Sequence, residues 1–154
     1  MTATAVDVAS YIIAEQGEMS AMKLQKLVYY SQAWSLALEG EPLFFDMIEA
    51  WANGPVVRSL FGYHRGRYQV TEATFPGDAT KLTSQQSALV DEVLDVYSGN
   101  TATQLSDLTH AEMPWQAARG SLPVGASSNA VISHESMQTF YRAVLDEAAA
   151  HTNA

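Results

Sequence analysis

The chain contains no cysteine. Without thiols it can form no disulfide, thiolate nucleophile or zinc–thiolate site, and this composition fits a reducing compartment. Residues Met1 to Ala9 lack the basic and apolar regions of a signal peptide. No apolar run approaches the roughly 20 residues that span a bilayer. These absences predict a cytoplasmic protein that makes no membrane contact.

Basic residues are scarce, with 8 Lys and Arg against 17 Asp and Glu and a formal net charge of −9. Such a surface repels nucleic acid unless its few cations are gathered on one face. It suits a basic protein partner, although solubility alone explains the acidity equally well. We therefore expect no nucleic-acid partner.

Sequence signatures of catalysis are also missing. The chain has no phosphate loop, G-x-G-x-x-G, G-x-S-x-G elbow or H-E-x-x-H. Asp107 and His110 share a helix face and form the best metal-like pair, but a metal site needs three or four ligands. A histidine at the C-terminal end of a helix interacts favourably with the partial negative charge of the last carbonyls, and this explains His110 more simply. The sequence predicts no enzyme, no cofactor and no metal.

The fold is predicted from hydrophobic spacing and capping signals. The length of 154 residues fits one domain, residues 1–154. Helical spacing or capping residues predict six helices, in the order: a helix ending before Gly17, Met22–Glu39, Val56–Tyr63, Thr83–Tyr97, Thr101–Leu108 and a last helix capped by Ser133. Gly120–Ala130 is predicted to be a loop.

Short strands or extended segments are predicted between and after the second and third helices. They are Leu43–Phe45, Met47–Trp51 and Tyr68–Thr71. Pro55 is assigned to the first position of the third helix, where its missing N–H costs nothing. The predicted class is mainly α, or α+β by a strict count. It is a compact bundle of about six helices with a small β element inserted after the second.

A basic cluster, His64-Arg65-Gly66-Arg67, lies between Tyr63 and Tyr68. It has the composition of a phosphate or RNA contact. Arg and Tyr are also the residue types that dominate protein interfaces, and the acidic net charge favours that interpretation. Tyr30 and Trp34, in the second predicted helix, are interpreted as core residues.

Several blocks of the sequence resemble the Panacea domain family, which is also described as SocA-like or phage-associated GepA-like. They are Met22-Lys23-Leu24-Gln25-Lys26-Leu27-Val28-Tyr29-Tyr30, Trp34, Pro42-Leu43-Phe44, Ala50-Trp51-Ala52-Asn53-Gly54-Pro55-Val56, Leu105-Ser106, Leu108-Thr109-His110 and Pro114-Trp115. The resemblance runs from about Ala5 to Leu145. Residues matching the motif are mostly types that build a core or a turn, and they are Lys23, Leu24, Gln25, Lys26, Leu27, Tyr30, Trp34, Trp51, Gly54, Pro55, Thr109, His110 and Trp115.

The resemblance implies an antitoxin of a bacterial or phage toxin–antitoxin pair, which neutralises its cognate protein toxin by direct, stoichiometric binding. The toxin would be encoded by a neighbouring gene. One branch of the family instead delivers its toxin to an ATP-dependent protease, so an adaptor is the alternative, and an RNA-binding module is a third. Whether the protein forms a homodimer or a heterotetramer stays open. The predicted partner-binding residues are Trp51, Tyr63, His64, Arg65 and Arg67.

Overall fold

A computed structural model describes residues 2–152 of the chain. Its elements in chain order are α1 (Ala5–Gln16), β1 (Met19–Ser20), α2 (Ala21–Glu39), β2 (Ile48–Trp51), β3 (Gly54–Val57), α3 (Arg58–His64), β4 (Gln69–Val70), α4 (Ser84–Tyr97), α5 (Ala102–His110), α6 (Met113–Arg119) and α7 (His134–Thr152). Two single-turn 3-10 helices lie between β4 and α4. The fold is mainly helical with small β elements, as predicted. No helix in residues 2–152 has the length and apolar character needed to cross a membrane.

Helix α2 is the central element of the fold. It packs against α1, α4, α5, α7 and β3, so its polar side chains are buried together with its apolar ones. Ser20 caps its N-terminus by accepting a hydrogen bond from Lys23 N, and Gly40 ends it in the left-handed conformation. The sequence predicts one apolar stripe. The structure buries most of the circumference, which is the pattern of a helix in the middle of a domain.

The strands form two antiparallel pairs, β1 with β4 and β2 with β3. The second pair is a hairpin in which Ile48 lies opposite Val57 and Trp51 opposite Gly54, with Ala52 and Asn53 as the turn. The outer edge of β2 is bound by the segment before α7. Ala50 N donates to Ala130 O, and Ile132 N donates to Ile48 O, each over 2.8 Å. The strands of the hairpin are therefore buried, while its turn reaches the surface.

The predicted helix Val56–Tyr63 is wrong at its start, because residues 54–57 form β3 and the helix begins at Arg58. Pro55 lies in the strand opposite Ala50. The N–H and C=O of Ala50 point away from β3, towards Ala130 and Arg119. The position opposite Ala50 therefore needs no N–H for the ladder, and proline is tolerated there.

The segment Leu43–Phe45, predicted as a short strand or an extended segment, is not a strand. Leu43 and Phe44 are buried. Their backbone groups are hydrogen bonded to a side chain of α2 and not to a neighbouring strand. Gln32 Oε1 accepts from Leu43 N over 2.7 Å, and Gln32 Nε2 donates to Phe44 O over 2.7 Å. The segment Tyr68–Thr71 does contain a strand, β4.

The capping signals locate the later helices correctly. Thr83 with Gln86 and Thr101 with Gln104 form the predicted capping boxes, and Ser133 Oγ accepts from Ser136 N. The sequence misses α6, which brings the described α-helices to seven. Pro114 reads as a stop signal, but it lies in the first turn of α6, where proline fits.

Replacing Gln32 by Ala should leave buried backbone groups of residues 43 and 44 without partners. We expect the free energy of unfolding to fall by about 3 kcal/mol, since each unpaired buried group costs roughly 1–3 kcal/mol. Urea denaturation measures this loss. Gln85→Ala is the control, because Gln85 is exposed and its side chain donates to the exposed Glu39. Equal effects of the two substitutions would contradict the role of Gln32.

Candidate functional site: a clamped hairpin and the groove beside it

Carbonyls of β2 and of the hairpin turn are bound by side chains of α5 and α6. Arg119 Nη1 donates to Ala50 O over 3.0 Å, and Trp115 Nε1 donates to Trp51 O over 2.8 Å. At the turn, His110 Nε2 lies 2.8 Å from Ala52 O. The Ser106 hydroxyl donates to Asn53 O over 2.7 Å. Consecutive carbonyls from residue 50 to residue 53 are thus each paired with a side chain.

Helix α2 binds the other strand of the hairpin. Lys26 Nζ donates to Pro55 O over 3.1 Å. The Gln25 amide accepts from Val57 N over 2.8 Å and donates to Val57 O over 3.2 Å, so one side chain replaces a neighbouring strand. We call the set of side chains that bind the hairpin backbone the carbonyl clamp; it consists of Gln25, Lys26, Ser106, His110, Trp115 and Arg119.

Lys26 is a buried cation with only 1% of its surface exposed. No Asp or Glu within residues 2–152 forms an ion pair with it. Burial lowers the pKa of its ammonium group from 10.5 to about 8. Its place beside the hairpin is fixed by packing and by the Pro55 carbonyl.

At Gly54 the hairpin approaches side chains of α2 and α5 closely. The Gly54 φ of +119° is a conformation that side chains rarely adopt. A Cβ at this position would lie 2.6 Å from Lys26 Cε and 3.0 Å from Thr109 Oγ1. The glycine is therefore required by both backbone conformation and space.

The carbonyl clamp brings together motif residues that are far apart in sequence. The blocks around residues 25, 54 and 110 meet at one hairpin. Sequence reasoning treats most of them as core or turn residues and misses the clamping role of Ser106 and Arg119. The spacing between Trp115 and Arg119 is the one feature of the sequence that could have indicated the role of Arg119. Arg119 lies four residues after Trp115 on a helix, and its guanidinium is 4.7 Å from the indole centroid.

A second buried polar cluster joins α2, α4 and α7 through Glu112, which follows α5. The Glu112 carboxylate accepts from Tyr30 over 2.6 Å and from Tyr141 over 2.8 Å. Tyr97 stacks on Tyr30 with 4.0 Å between ring centroids and accepts from Trp34 Nε1. Burial raises the pKa of Glu112 and outweighs the two hydrogen bonds. Tyr30 is fully buried and Trp34 is partly buried against the core, so both contribute to packing.

An open groove of about 810 Å³ lies beside the hairpin. Its walls are the start of α2, the hairpin turn, α3 with the segment after it, and residues 127–129. Trp51 and Phe61 meet edge to face there, with 4.9 Å between ring centroids. At its rim, Glu49 accepts from Trp51 Nε1 over 2.8 Å and lies 3.5 Å from the Arg58 guanidinium.

The structure places the predicted partner-binding residues around this groove. Trp51, His64 and Arg67 line it, whereas Tyr63 and Arg65 are exposed without lining it. His64 is only 7% exposed, and its Nε2 lies 2.9 Å from Gln25 Nε2. Burial lowers the pKa of His64, which matches a neutral ring that accepts this hydrogen bond. The surface of His64 available to a partner is therefore small.

Asp107 and His110 are not brought together as a metal site. Asp107 is exposed, while His110 Nδ1 and Nε2 lie 2.5 Å and 2.8 Å from the carbonyls of Ser106 and Ala52. Both ring nitrogens are thus occupied by backbone. In the part of the chain that the structure describes, no three His, Cys, Asp or Glu residues are grouped to hold a metal ion.

Gly54→Ala should destabilise the protein by about 3 kcal/mol or more, because it adds a steric overlap to an unfavourable backbone conformation. Gly66→Ala is the matched control. Gly66 also has a positive φ, of +80°, but a Cβ there meets no atom within 4 Å. Thermal and urea unfolding should show the larger loss for Gly54→Ala. A loss no larger than that of the control would contradict the close approach.

The buried Lys26 predicts a stability that rises with pH. Between pH 8 and 9.5 the unfolded chain keeps the lysine proton that the folded state has released, so raising the pH favours folding. From the linkage between proton binding and unfolding, we expect Lys26 to contribute a gain of about 1.5 kcal/mol over this interval, partly offset by the tyrosines whose pKa is raised by burial.

In Lys26→Met the contribution of Lys26 should disappear, so that stability no longer rises over this interval, even though the overall stability changes. Lys81→Met, at an exposed lysine, should keep the rise. Urea denaturation at a series of pH values measures the slopes. Parallel slopes for the wild type and Lys26→Met would show that Lys26 does not titrate in this range.

Comparison with protein families finds one match, the antitoxin SocA-like, Panacea domain family, over residues 24–116. The matched segment runs from α2 to α6 and includes the hairpin, most of the carbonyl clamp and most of the groove. Comparisons with curated proteins and with solved structures gave no match. The family model covers more than half of the chain, and the chain therefore belongs to the SocA-like antitoxins with a Panacea domain.

Proposed function

We propose that this protein neutralises one cognate protein toxin by binding it directly in a stoichiometric complex. Membership of an antitoxin family implies a toxin partner in general. We further propose that the toxin is encoded by a neighbouring gene and that the complex forms in the cytoplasm. The observation that carries the proposal is the match over residues 24–116, which includes most of the surface around the groove.

The chemistry of the motif residues supports binding rather than catalysis. The polar atoms of Gln25, Lys26 and His110 are hydrogen bonded to backbone groups, and Gln25 and Lys26 are buried. A catalytic acid, base or nucleophile must reach its substrate. These side chains serve the scaffold instead, so the motif supports a surface for recognition.

We propose that the contact surface is the groove and the exposed residues after it. Trp51, Tyr63, Arg65 and Arg67 supply aromatic rings and guanidinium groups, the groups that contribute most to interface affinity. His64 lies beneath them and is hydrogen bonded to Gln25. Its role in this surface is to hold the end of α3 against α2.

Growth and binding assays test the proposal. The neighbouring gene should arrest growth when expressed alone, and co-expression of this chain should restore it. The two purified proteins should elute together from a sizing column, and an equimolar amount of this chain should abolish the activity of the toxin. A fully active toxin in that mixture, with no complex on the column, would refute direct neutralisation.

The same cells distinguish neutralisation by binding from delivery to a protease. Immunoblots after translation arrest should show the same toxin half-life with and without this chain. A half-life that shortens only when an ATP-dependent protease is present would favour the adaptor and exclude masking as the main mechanism.

A further inference from the structure

The groove beside the hairpin has the opposite charge to the rest of the chain. Three of the five arginines lie between residues 58 and 67, and Arg58 and Arg67 line the groove. Among residues 2–152, none of the groove-lining side chains is an Asp or Glu, although the chain has 17 acidic residues. At contact distance the local charge decides attraction, because salt screens charges more than about 8–10 Å away.

The two arginines differ in how they are held. Arg58 is paired with Glu49, whose other oxygen accepts the indole N–H of Trp51. Arg67 is exposed and has no ion-pair partner in the described part of the chain. Its guanidinium is therefore the cation that an incoming anion can bind without displacing a native partner.

Beside these cations lies apolar surface. Met22 and Tyr68 are exposed, Tyr68 to 78%, and Trp51 and Phe61 are half-buried and in contact with each other. Asn53 and residues 127–129 add hydrogen-bonding groups to the rim. An aromatic floor with a guanidinium at its edge fits a ligand that combines apolar and anionic groups.

We infer that the groove binds an acidic segment of the partner protein, in which an Asp or Glu pairs with Arg67 and an adjacent apolar side chain packs on Trp51 and Phe61. The inference rests on the proposed antitoxin function and names the part of the toxin that is recognised. It also reverses the simplest interpretation of the net charge, because the acidic chain contacts its partner through a basic surface.

A single-stranded nucleic acid is the other polyanion that such a groove could receive. Affinity for nucleic acid grows with the number of phosphates neutralised. The groove offers two guanidinium groups, one of them already paired with Glu49, on a chain of net charge −9. The observations therefore favour one or two carboxylates of a protein.

The experiment measures binding of the purified product of the neighbouring gene by titration calorimetry. The variants are Arg67→Glu, Arg67→Lys and Lys81→Glu. Lys81 is exposed, lies outside the groove and undergoes the same change of charge. We expect Kd to rise about tenfold or more for Arg67→Glu, with Arg67→Lys between it and the wild type and Lys81→Glu unchanged. Circular dichroism melts confirm that each variant is folded.

A partner library with each Asp and Glu changed to Arg identifies the recognised segment. At least one such change should restore binding to Arg67→Glu while weakening binding to the wild type. Wild-type affinity for Arg67→Glu would overturn the inference while leaving the antitoxin function intact. No binding by the wild type would overturn both. Tight binding of a poly(U) oligonucleotide that Arg67→Glu abolishes would assign the groove to RNA and overturn it as well.

Discussion

The structure depends on how the backbone of the buried hairpin is hydrogen bonded. The ladder between β2 and β3 pairs only the groups that face each other, and the outward carbonyls would otherwise be buried without donors. A buried carbonyl left without a donor costs about 1–3 kcal/mol of stability, and several hairpin carbonyls depend on side-chain donors. Helices α2, α5 and α6 each contribute side-chain donors, so their positions around the hairpin are fixed together.

Much of the fold is predictable because its signals are local. A capping box needs only residues three positions apart, and those at Thr83 and Thr101 place α4 and α5 correctly. The errors arise where distant contacts decide. Pro55 locally suits the start of a helix, but the outward orientation of Ala50 makes it a strand residue. Likewise, the backbone of residues 43 and 44 is hydrogen bonded to the distant Gln32 side chain and not to a strand.

The candidate site is only partly predictable, for a related reason. The basic and aromatic run after β3 is contiguous in sequence, so a surface near Arg65 and Arg67 can be proposed without a structure. The carbonyl clamp is not contiguous. Nothing in the sequence near Gln25 or His110 reveals that both face the same hairpin, and the wall that residues 127–129 add to the groove comes from a loop with no pattern of its own.

The clamp acts on carbonyl oxygens, which every amino acid has, rather than on the side chains of the turn. Ala52, Asn53 and Val56 line the groove, while the clamp binds the carbonyls of residues 52 and 53 and the Gln25 amide binds the backbone of Val57. Exchanging those three side chains would alter the surface of the groove and keep every one of these hydrogen bonds. The hairpin is thus a platform whose outer side chains can change by point mutation while its backbone hydrogen bonds are kept.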